Sequence, residues 1–270
     1  MKKKLIVTAH DFGFTHSVNE GILFALNHPQ NIFTELSLLA VAPGSTEGAR
    51  IARENPQIST HLCISLMQDK FKPITKPKTL VDRNGYFFKG ATDTWDFSAI
   101  DNFDDKEVRD EVFAQYEWFV KNVGRKPSAI VSQKSEHGDP KILIHVSELA
   151  KKENLPVRTP LWKWKPNYGA ETFIDSEGLK HTSSCFVGLL DWKGRFGYDL
   201  EADLDKLIED INLKNGVSEV FIFCGFVDEE TINLSSVNWQ RGQILNIMER
   251  KPHIIQKIRE NFDLISYRDL

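Results

Sequence analysis

The chain has 270 residues, of which 41% are hydrophobic and 27% charged, an ordinary composition for a globular protein with a substantial core. It carries 34 basic and 38 acidic residues, and the net charge of −4 argues against a dedicated nucleic-acid-binding protein, which has a basic surface. No apolar run approaches the roughly 18 residues of a membrane span, so neither nucleic acid nor a membrane is expected as a partner. Three cysteines, Cys63, Cys185 and Cys224, lie inside apolar runs, which predicts buried thiols and a cytoplasmic location.

Short apolar runs alternate with longer segments of helical periodicity along the chain. The apolar runs predict strands at residues 4–9, 35–42, 59–66, 128–132, 156–160 and 218–226. The periodic segments predict helices at residues 17–28, 45–56, 106–124, 140–155 and 199–216, and the tail from 253 to 267 predicts a helix and a last short strand. Buried strands that alternate with helices are typical of α/β folds built on a mostly parallel sheet. No linker or repeat interrupts the alternation, so a single domain over residues 1–270 is expected.

The predicted strands end in polar residues that suit a catalytic site. His10 and Asp11 follow the first strand, His61 lies within the third, Gln133 follows the fourth, and Arg158 lies in the fifth. In α/β folds such residues meet because the carboxyl ends of parallel strands share one rim. Carboxylate and imidazole groups from separate strands are typical ligands of a catalytic divalent metal. Two alternatives stay open, the His10–Asp11 pair as a helix cap and His61 as a hydrogen-bonded core residue.

Aromatic and turn-like segments supply further candidates. Trp162, Trp164 and Trp192 lie in irregular segments beside basic residues, where their rings either stack on a sugar or pack as a cover over the strand ends. His137, in the segment SEHGDP, is either a replacement metal ligand or one of several residues that cap the next helix. A small carbohydrate is the expected ligand, and the sequence leaves a homo-oligomer open.

The order of motifs resembles that of the YdjC-like carbohydrate deacetylases. The opening LIVTAHDFGFTHSVNEGI is similar to a strand that runs into A-D-D-F-G in that family. STHLCISL resembles its G-x-H-x-x-L strand, and GRKPSAIVSQKSEH resembles its G-x-x-P-T-H-x-D-S-H-x-H-x-H segment. The family's arginine strand is similar to LPVRTP, and its C-H-P strand is similar to FIFCGF. Its aromatic residue followed by arginine is similar to NWQRGQIL. The resemblance covers essentially the whole chain.

The resemblance implies a (β/α) barrel of the glycoside hydrolase/deacetylase type with mostly parallel strands. It also implies a metal-dependent hydrolase that removes N-acetyl groups from amino sugars. By position, Asp11 and His61 match metal ligands, and Gln133 stands where the third ligand is expected. His10, at the position of the base, and Arg158 are the implied catalytic residues, and Arg241 is implied in substrate binding. The three tryptophans named above are substrate-binding candidates because of the basic residues beside them, and not because of the resemblance.

The sequence departs from the family pattern at three of five key positions. His10 replaces the base aspartate, Gln133 replaces a metal-binding histidine, and Gly225 stands where the family has an acid histidine, with Asp228 as a nearby candidate replacement. A glutamine oxygen is a weak ligand, so zinc or magnesium is expected to bind weakly or not at all. Two functions stay open, a carbohydrate deacetylase with an altered active site and a catalytically inactive carbohydrate-binding or regulatory relative.

Overall fold

The computed structural model describes residues 2–89, 98–161, 169–188 and 199–270. Its strands are β1 (Lys3–Phe12), β2 (Glu35–Leu39), β3 (Ser59–Ile64), β4 (Ile130–Ser132), β5 (Ser184–Val187), β6 (Ser218–Phe223) and β7 (Phe262–Ile265). Its α-helices are α1 (His16–Asn27), α2 (Ser45–Glu54), α3 (Asp105–Val123), α4 (Pro140–Glu153), α5 (Ala170–Ser176), α6 (Leu200–Asn212), α7 (Glu229–Leu234), α8 (Trp239–Arg250) and α9 (Pro252–Asn261). Short 3-10 helices lie at Ser98–Asn102, Gln133–Gly138 and Tyr267–Asp269.

The strands form one parallel sheet that curls toward a barrel. Their order is β4-β3-β2-β1-β6-β5, and β7 pairs with the amino-terminal half of β1. Isolated parallel bridges join Ile130 of β4 to Val157, and Val157 to His181, which lies shortly before β5. Because these bridges connect the two edges of the sheet, its carboxyl ends form a common rim. The predicted α/β barrel with mostly parallel strands is confirmed.

Side chains alternate along the strands between a polar interior and an apolar outer face. In β1, Leu5, Val7 and Ala9 belong to the main hydrophobic core, whereas Thr8 and His10 are buried polar residues. Glu35 and Ser37 of β2 and Ser59 and His61 of β3 are also buried polar residues at alternate positions, although Thr60 on the opposite face of β3 is buried and polar as well. Successive strand side chains point to opposite faces. The helices therefore cover the apolar face, and the interior of the barrel is available for polar contacts.

The observed elements differ from the predicted ones in the irregular segments. β1 continues to Phe12 instead of ending at residue 9, and residues 156–160 form two bridges at Val157 instead of a continuous strand. β5, α5, α7 and α8 are absent from the sequence prediction. β5 and α7 are short, with four and six residues. The buried face of α8 includes Gln240 and Arg241, so its apolar periodicity is interrupted.

The three cysteines are buried free thiols, as predicted. Burial raises the pKa of each thiol above its ordinary value, which keeps the side chains protonated at neutral pH. In the ranges that the structure describes, no helix is long and apolar enough to span a membrane.

Candidate active site

The end of β1 departs from regular strand geometry at the residues that the sequence singled out. Asp11 has a φ of +64°, in the left-handed region that aspartate adopts more readily than most residues. The register with β2 is irregular between Ala9 and Phe12. Such irregularities re-aim side chains next to functional sites. Here the irregularity lets the consecutive residues His10 and Asp11 contribute to the same centre.

Asp11 is the centre of a buried polar cluster. Its Oδ2 accepts a hydrogen bond from Arg241 Nη2 at 2.7 Å, and its Oδ1 accepts one from Gln133 Nε2 at 3.2 Å. His10 Nε2 lies 3.5 Å from the same Oδ1. The structure thus brings together four predicted site residues that come from β1, the segment after β4, and α8.

Burial and charge set opposite protonation states for the two neighbours. Burial lowers the pKa of His10 to about 4, although the Asp11 carboxylate raises it. Burial raises the pKa of Asp11, but the charges of His10 and Arg241 and the hydrogen bonds from Arg241 and Gln133 outweigh this effect, so the pKa is lowered. At neutral pH the centre therefore holds an ionised Asp11 and a neutral His10, whose imidazole can accept a proton.

His61 has its described contacts on a different group. Its Nδ1 lies 3.6 Å from Glu35 Oε1, and its ring meets the Tyr267 ring edge-on with centroids 5.6 Å apart. Within the described part of the chain, neither ring nitrogen has a hydrogen-bond partner, so the alternative of a hydrogen-bonded core histidine does not describe it. The charge of His61 still contributes to the lowered pKa of His10. Its role as a metal ligand stays a prediction.

The donor set around Asp11 does not fit a divalent cation as it stands. A carboxylate binds a metal through oxygen lone pairs, but both Asp11 oxygens accept hydrogen bonds from nitrogen donors. Gln133 turns its amide hydrogens to Asp11, while its oxygen accepts from Ser65 Oγ at 3.2 Å. Among the described residues, no group of three or more histidine, cysteine, aspartate or glutamate side chains has the arrangement of a metal site.

The segment after β4 is strained and holds a second buried carboxyl group. Lys134 and Ser135 have φ values of +50° and +53°, and consecutive left-handed residues of this kind persist where the surroundings enforce them. Glu136 Oε2 accepts a hydrogen bond from Leu66 N at 2.8 Å, and Oε1 has no partner within the described ranges. Burial raises the pKa of Glu136 to about 7. Part of the population therefore carries a protonated Glu136 at neutral pH.

Replacing Glu136 by glutamine is expected to change how stability depends on pH. The folded pKa of about 7 lies above the ordinary 4.5, so the native state holds its proton more tightly and stability is lost as pH rises from 4.5 through 7. The glutamine keeps an acceptor for Leu66 N and removes the titration. Urea unfolding should show the variant more stable than the wild type at pH 8, by about 3 kcal/mol at most. A gain of the same size at pH 4 would contradict this reading.

The ring nitrogens of His137 are engaged in hydrogen bonds, so His137 does not stand in for the metal-binding histidine that Gln133 replaces. The segment SEHGDP instead caps the following helix. His137 Nε2 donates to Arg158 O at 2.8 Å, so Nδ1, which lies 2.5 Å from Ser132 Oγ, is the acceptor. Asp139 caps α4 through Lys141 N at 3.0 Å. Both ring nitrogens of His137 are therefore occupied.

Arg158 lies deeper in the barrel than His10. Its Nε donates to Glu219 Oε2 at 2.7 Å and its Nη2 to Oε1, and both residues are buried. Although burial raises the pKa of Glu219, the Arg158 guanidinium holds it at about 2. The Phe221 ring lies between Arg158 and His10, 5.3 Å from the Arg158 guanidinium and 4.7 Å from the His10 ring. The catalytic role of Arg158 stays a prediction, since its described partners are structural.

The predicted sugar-binding residues Trp162, Trp164 and Trp192 lie outside the described residues. Leu161, which directly precedes the first of these segments, donates through its backbone N to Ser135 Oγ at 3.1 Å. Its side chain packs on the apolar cluster that includes Phe221 and Phe223. The chain therefore enters this segment beside the rings that contact His10.

Gly225, which stands at the position of the family's acid histidine, packs directly against α1. A Cβ at this position would lie 2.9 Å from Val18 Cα, and one on Gly21 of α1 would lie 2.5 Å from the Gly225 carbonyl carbon. The residue thus packs against α1, where a side chain has no room. The candidate replacement Asp228 caps α7 through Thr231 N at 2.8 Å.

Several site residues are not identifiable from the sequence. Ser65 orients Gln133, Ser235 Oγ lies 3.3 Å from Arg241 Nη2, and the rings of Phe14 and Phe223 flank the Arg241 guanidinium at 4.9 and 5.5 Å. Serine and phenylalanine are common, and no spacing marks these four. Phe14 stands in the opening motif beside Asp11, which is the one available signal.

The chain is similar in sequence and in fold to known proteins. The family model described as YdjC-like protein matches residues 4–253. The chain is 31% identical over 274 residues to a chitooligosaccharide deacetylase of Proteus mirabilis, with 100% of both chains covered. It is 29% identical to a carbohydrate deacetylase of Thermoanaerobacter pseudethanolicus, covering 98% of this chain and 97% of the relative. A crystal structure of a putative cellobiose-phosphate cleavage protein from Enterococcus faecalis has the same fold, with a TM-score of 0.83, 24% identity, and coverage of 100% and 99%.

Proposed function

Because this chain belongs to the YdjC-like protein family, we propose that it binds carbohydrates with N-acetylated amino sugars at the carboxyl ends of β1 and β4, in an altered active site. The relatives named chitooligosaccharide deacetylase and carbohydrate deacetylase support this ligand class. The observation that carries the altered site is the Asp11 carboxylate, whose two oxygens are held by Arg241 and Gln133. Deacetylation by the metal-dependent route is accordingly slow or absent in this proposal.

A second candidate is a rewired hydrolase that uses His10 as its base. The supporting observation is that the pKa of His10 is lowered by burial to about 4, and that its Nδ1 has no hydrogen-bond partner within the described ranges. A neutral imidazole can take a proton from a water molecule that attacks the acetamide carbonyl. The imidazolium then returns that proton to the amide nitrogen as the C–N bond breaks, so the products are acetate and the free amine of the sugar.

We also propose that residues 1–270 act as one domain and that the protein works in the cytoplasm. The family model and the relatives align with the chain as one continuous stretch, and the three cysteines are free thiols.

The test measures sugar binding and acetate release on the same preparations, with zinc or magnesium supplied. N-acetylglucosamine oligomers should bind saturably in calorimetry, whereas cello-oligosaccharides, which lack the acetamide, serve as the matched control and should bind more weakly. Acetate release should be slow or absent and insensitive to Asp11→Asn. Robust wild-type acetate release that is abolished by His10→Gln, which removes the imidazole base, would establish the rewired hydrolase instead. Absence of oligomer binding would overturn the proposed ligand class.

A further inference from the structure

We propose that the Arg241 guanidinium takes the place of a divalent cation at Asp11, so that a metal ion can bind this carboxylate only after Arg241 has moved away. The inference concerns the same site as the proposed function and deepens it. It makes the altered active site a consequence of one internal ion pair.

The contact between the two residues is direct and shielded from water. Arg241 Nη2 lies 2.7 Å from Asp11 Oδ2, and the two side chains are 1% and 3% exposed. Charges that are removed from water interact more strongly than exposed ones, and losing one partner leaves the other uncompensated. Asp11 therefore has a buried cationic partner inside the protein.

The surroundings hold the guanidinium at the carboxylate. Phe14 and Phe223 lie 4.9 and 5.5 Å from the Arg241 guanidinium carbon, which fits cation–π contacts from two rings. Among the described residues, the hydrogen-bond partners of the guanidinium are Asp11 and Ser235, and its Nε and Nη1 have none. Among the described residues, Asp11 is thus the charged hydrogen-bond partner of the Arg241 guanidinium.

Gln133 completes the occupation from the other side. Its Nε2 donates to Asp11 Oδ1 at 3.2 Å, and Ser65 Oγ, 3.2 Å from Gln133 Oε1, fixes the amide in this orientation. A metal ion at Asp11 would meet amide hydrogens and a guanidinium where it needs lone pairs. Gln133 stands where the family has a metal-binding histidine, and Arg241, at an arginine position of the family pattern, contacts the Asp11 carboxylate. Together these contacts are consistent with a centre that carries its own cation.

The experiment compares Arg241→Met with Arg241→Lys and measures zinc binding by calorimetry and by the zinc-dependent shift of the melting temperature. Methionine fills the space between the two rings without charge, whereas lysine keeps the cation as the matched control. The wild type and Arg241→Lys should show no zinc-dependent shift, and Arg241→Met should bind zinc at least about tenfold more tightly than the wild type. Adding Asp11→Asn to Arg241→Met should abolish the gain.

Gln133→His keeps the inference testable if Arg241→Met does not fold. With Arg241 in place, this variant should gain less than about tenfold in zinc affinity, although it restores the ligand type of the family. Tight zinc binding by the wild type or by Gln133→His, lost on Asp11→Asn, would overturn the inference. Equal zinc affinity of Arg241→Met and the wild type would also overturn it. Since neither readout involves sugar, these outcomes are separate from a failure of the proposed carbohydrate binding.

Discussion

Replacing Arg158 by methionine is expected to lower the free energy of unfolding by about 3–5 kcal/mol, because it leaves the Glu219 carboxylate buried without its cation. Glu219 is fully buried, and Thr8 Oγ1 and Tyr267 Oη are its remaining described donors. The measurement is urea unfolding at pH 8. This result would assign Arg158 a structural role that precedes any catalytic one.

The matched control is Arg50→Met, which breaks an exposed ion pair with Glu54 whose side chains are 51% and 53% exposed. Exposed pairs contribute about 0–1 kcal/mol, so this variant should unfold nearly like the wild type. The deficit of Arg158→Met should also narrow as the pH falls, since the unpaired Glu219 carboxyl then takes up a proton. An equal effect of the two variants, or a deficit that does not change with pH, would show that the buried charge is not the cause.

Gly21→Ala is expected to destabilise the protein by roughly 1–3 kcal/mol or more, because the backbone after β6 leaves no space for a methyl group. An added Cβ would lie 2.2 Å from Phe226 N and 2.5 Å from the Gly225 carbonyl carbon. These neighbours are backbone atoms, so α1 or the end of β6 has to shift. Thermal and urea unfolding measure the effect.

Gly242→Ala is the control with the opposite expected sign. Gly242 also lies within a helix, but a Cβ there meets nothing within 4 Å. Alanine should therefore stabilise the protein by about 0.5–1 kcal/mol through its higher helix propensity. A neutral Gly21→Ala would contradict the close packing of α1 on residues 225 and 226. The same packing implies that Gly225→His, which restores the residue type of the family, damages the fold instead of supplying an acid.

The sequence predicts the barrel well because its strands and helices differ in length and periodicity. It fails where an element lacks that pattern. The buried face of α8 includes Gln240 and Arg241. Residues 156–160 join the two edges of the sheet through isolated bridges at Val157 and through the hydrogen bonds of its neighbours. Tertiary contacts determine the structure of these segments, and the local periodicity of the sequence gives no information about such contacts.

For the candidate site, the sequence identifies most members but not their arrangement. His10, Asp11 and Gln133 meet as expected from the rule that strand ends share one rim. The Arg241–Asp11 ion pair joins residues 230 positions apart, and the resemblance assigns Arg241 to substrate binding. Likewise, motif order shows that Gly225 stands where the family has an acid histidine. It does not show that Gly225 packs against Val18, because that contact arises from tertiary packing.

The most direct test of whether the Arg241 guanidinium occupies the metal position is the anomalous scattering of crystals grown with excess zinc, recorded above the zinc absorption edge. If the Arg241–Asp11 ion pair takes the place of the metal, no anomalous peak should appear at the ligand distance of about 2 Å from the Asp11 oxygens. Arg241 Nη2 should also remain within hydrogen-bond distance of Asp11 Oδ2. A zinc ion coordinated by Asp11, with Arg241 displaced from the carboxylate, would contradict it.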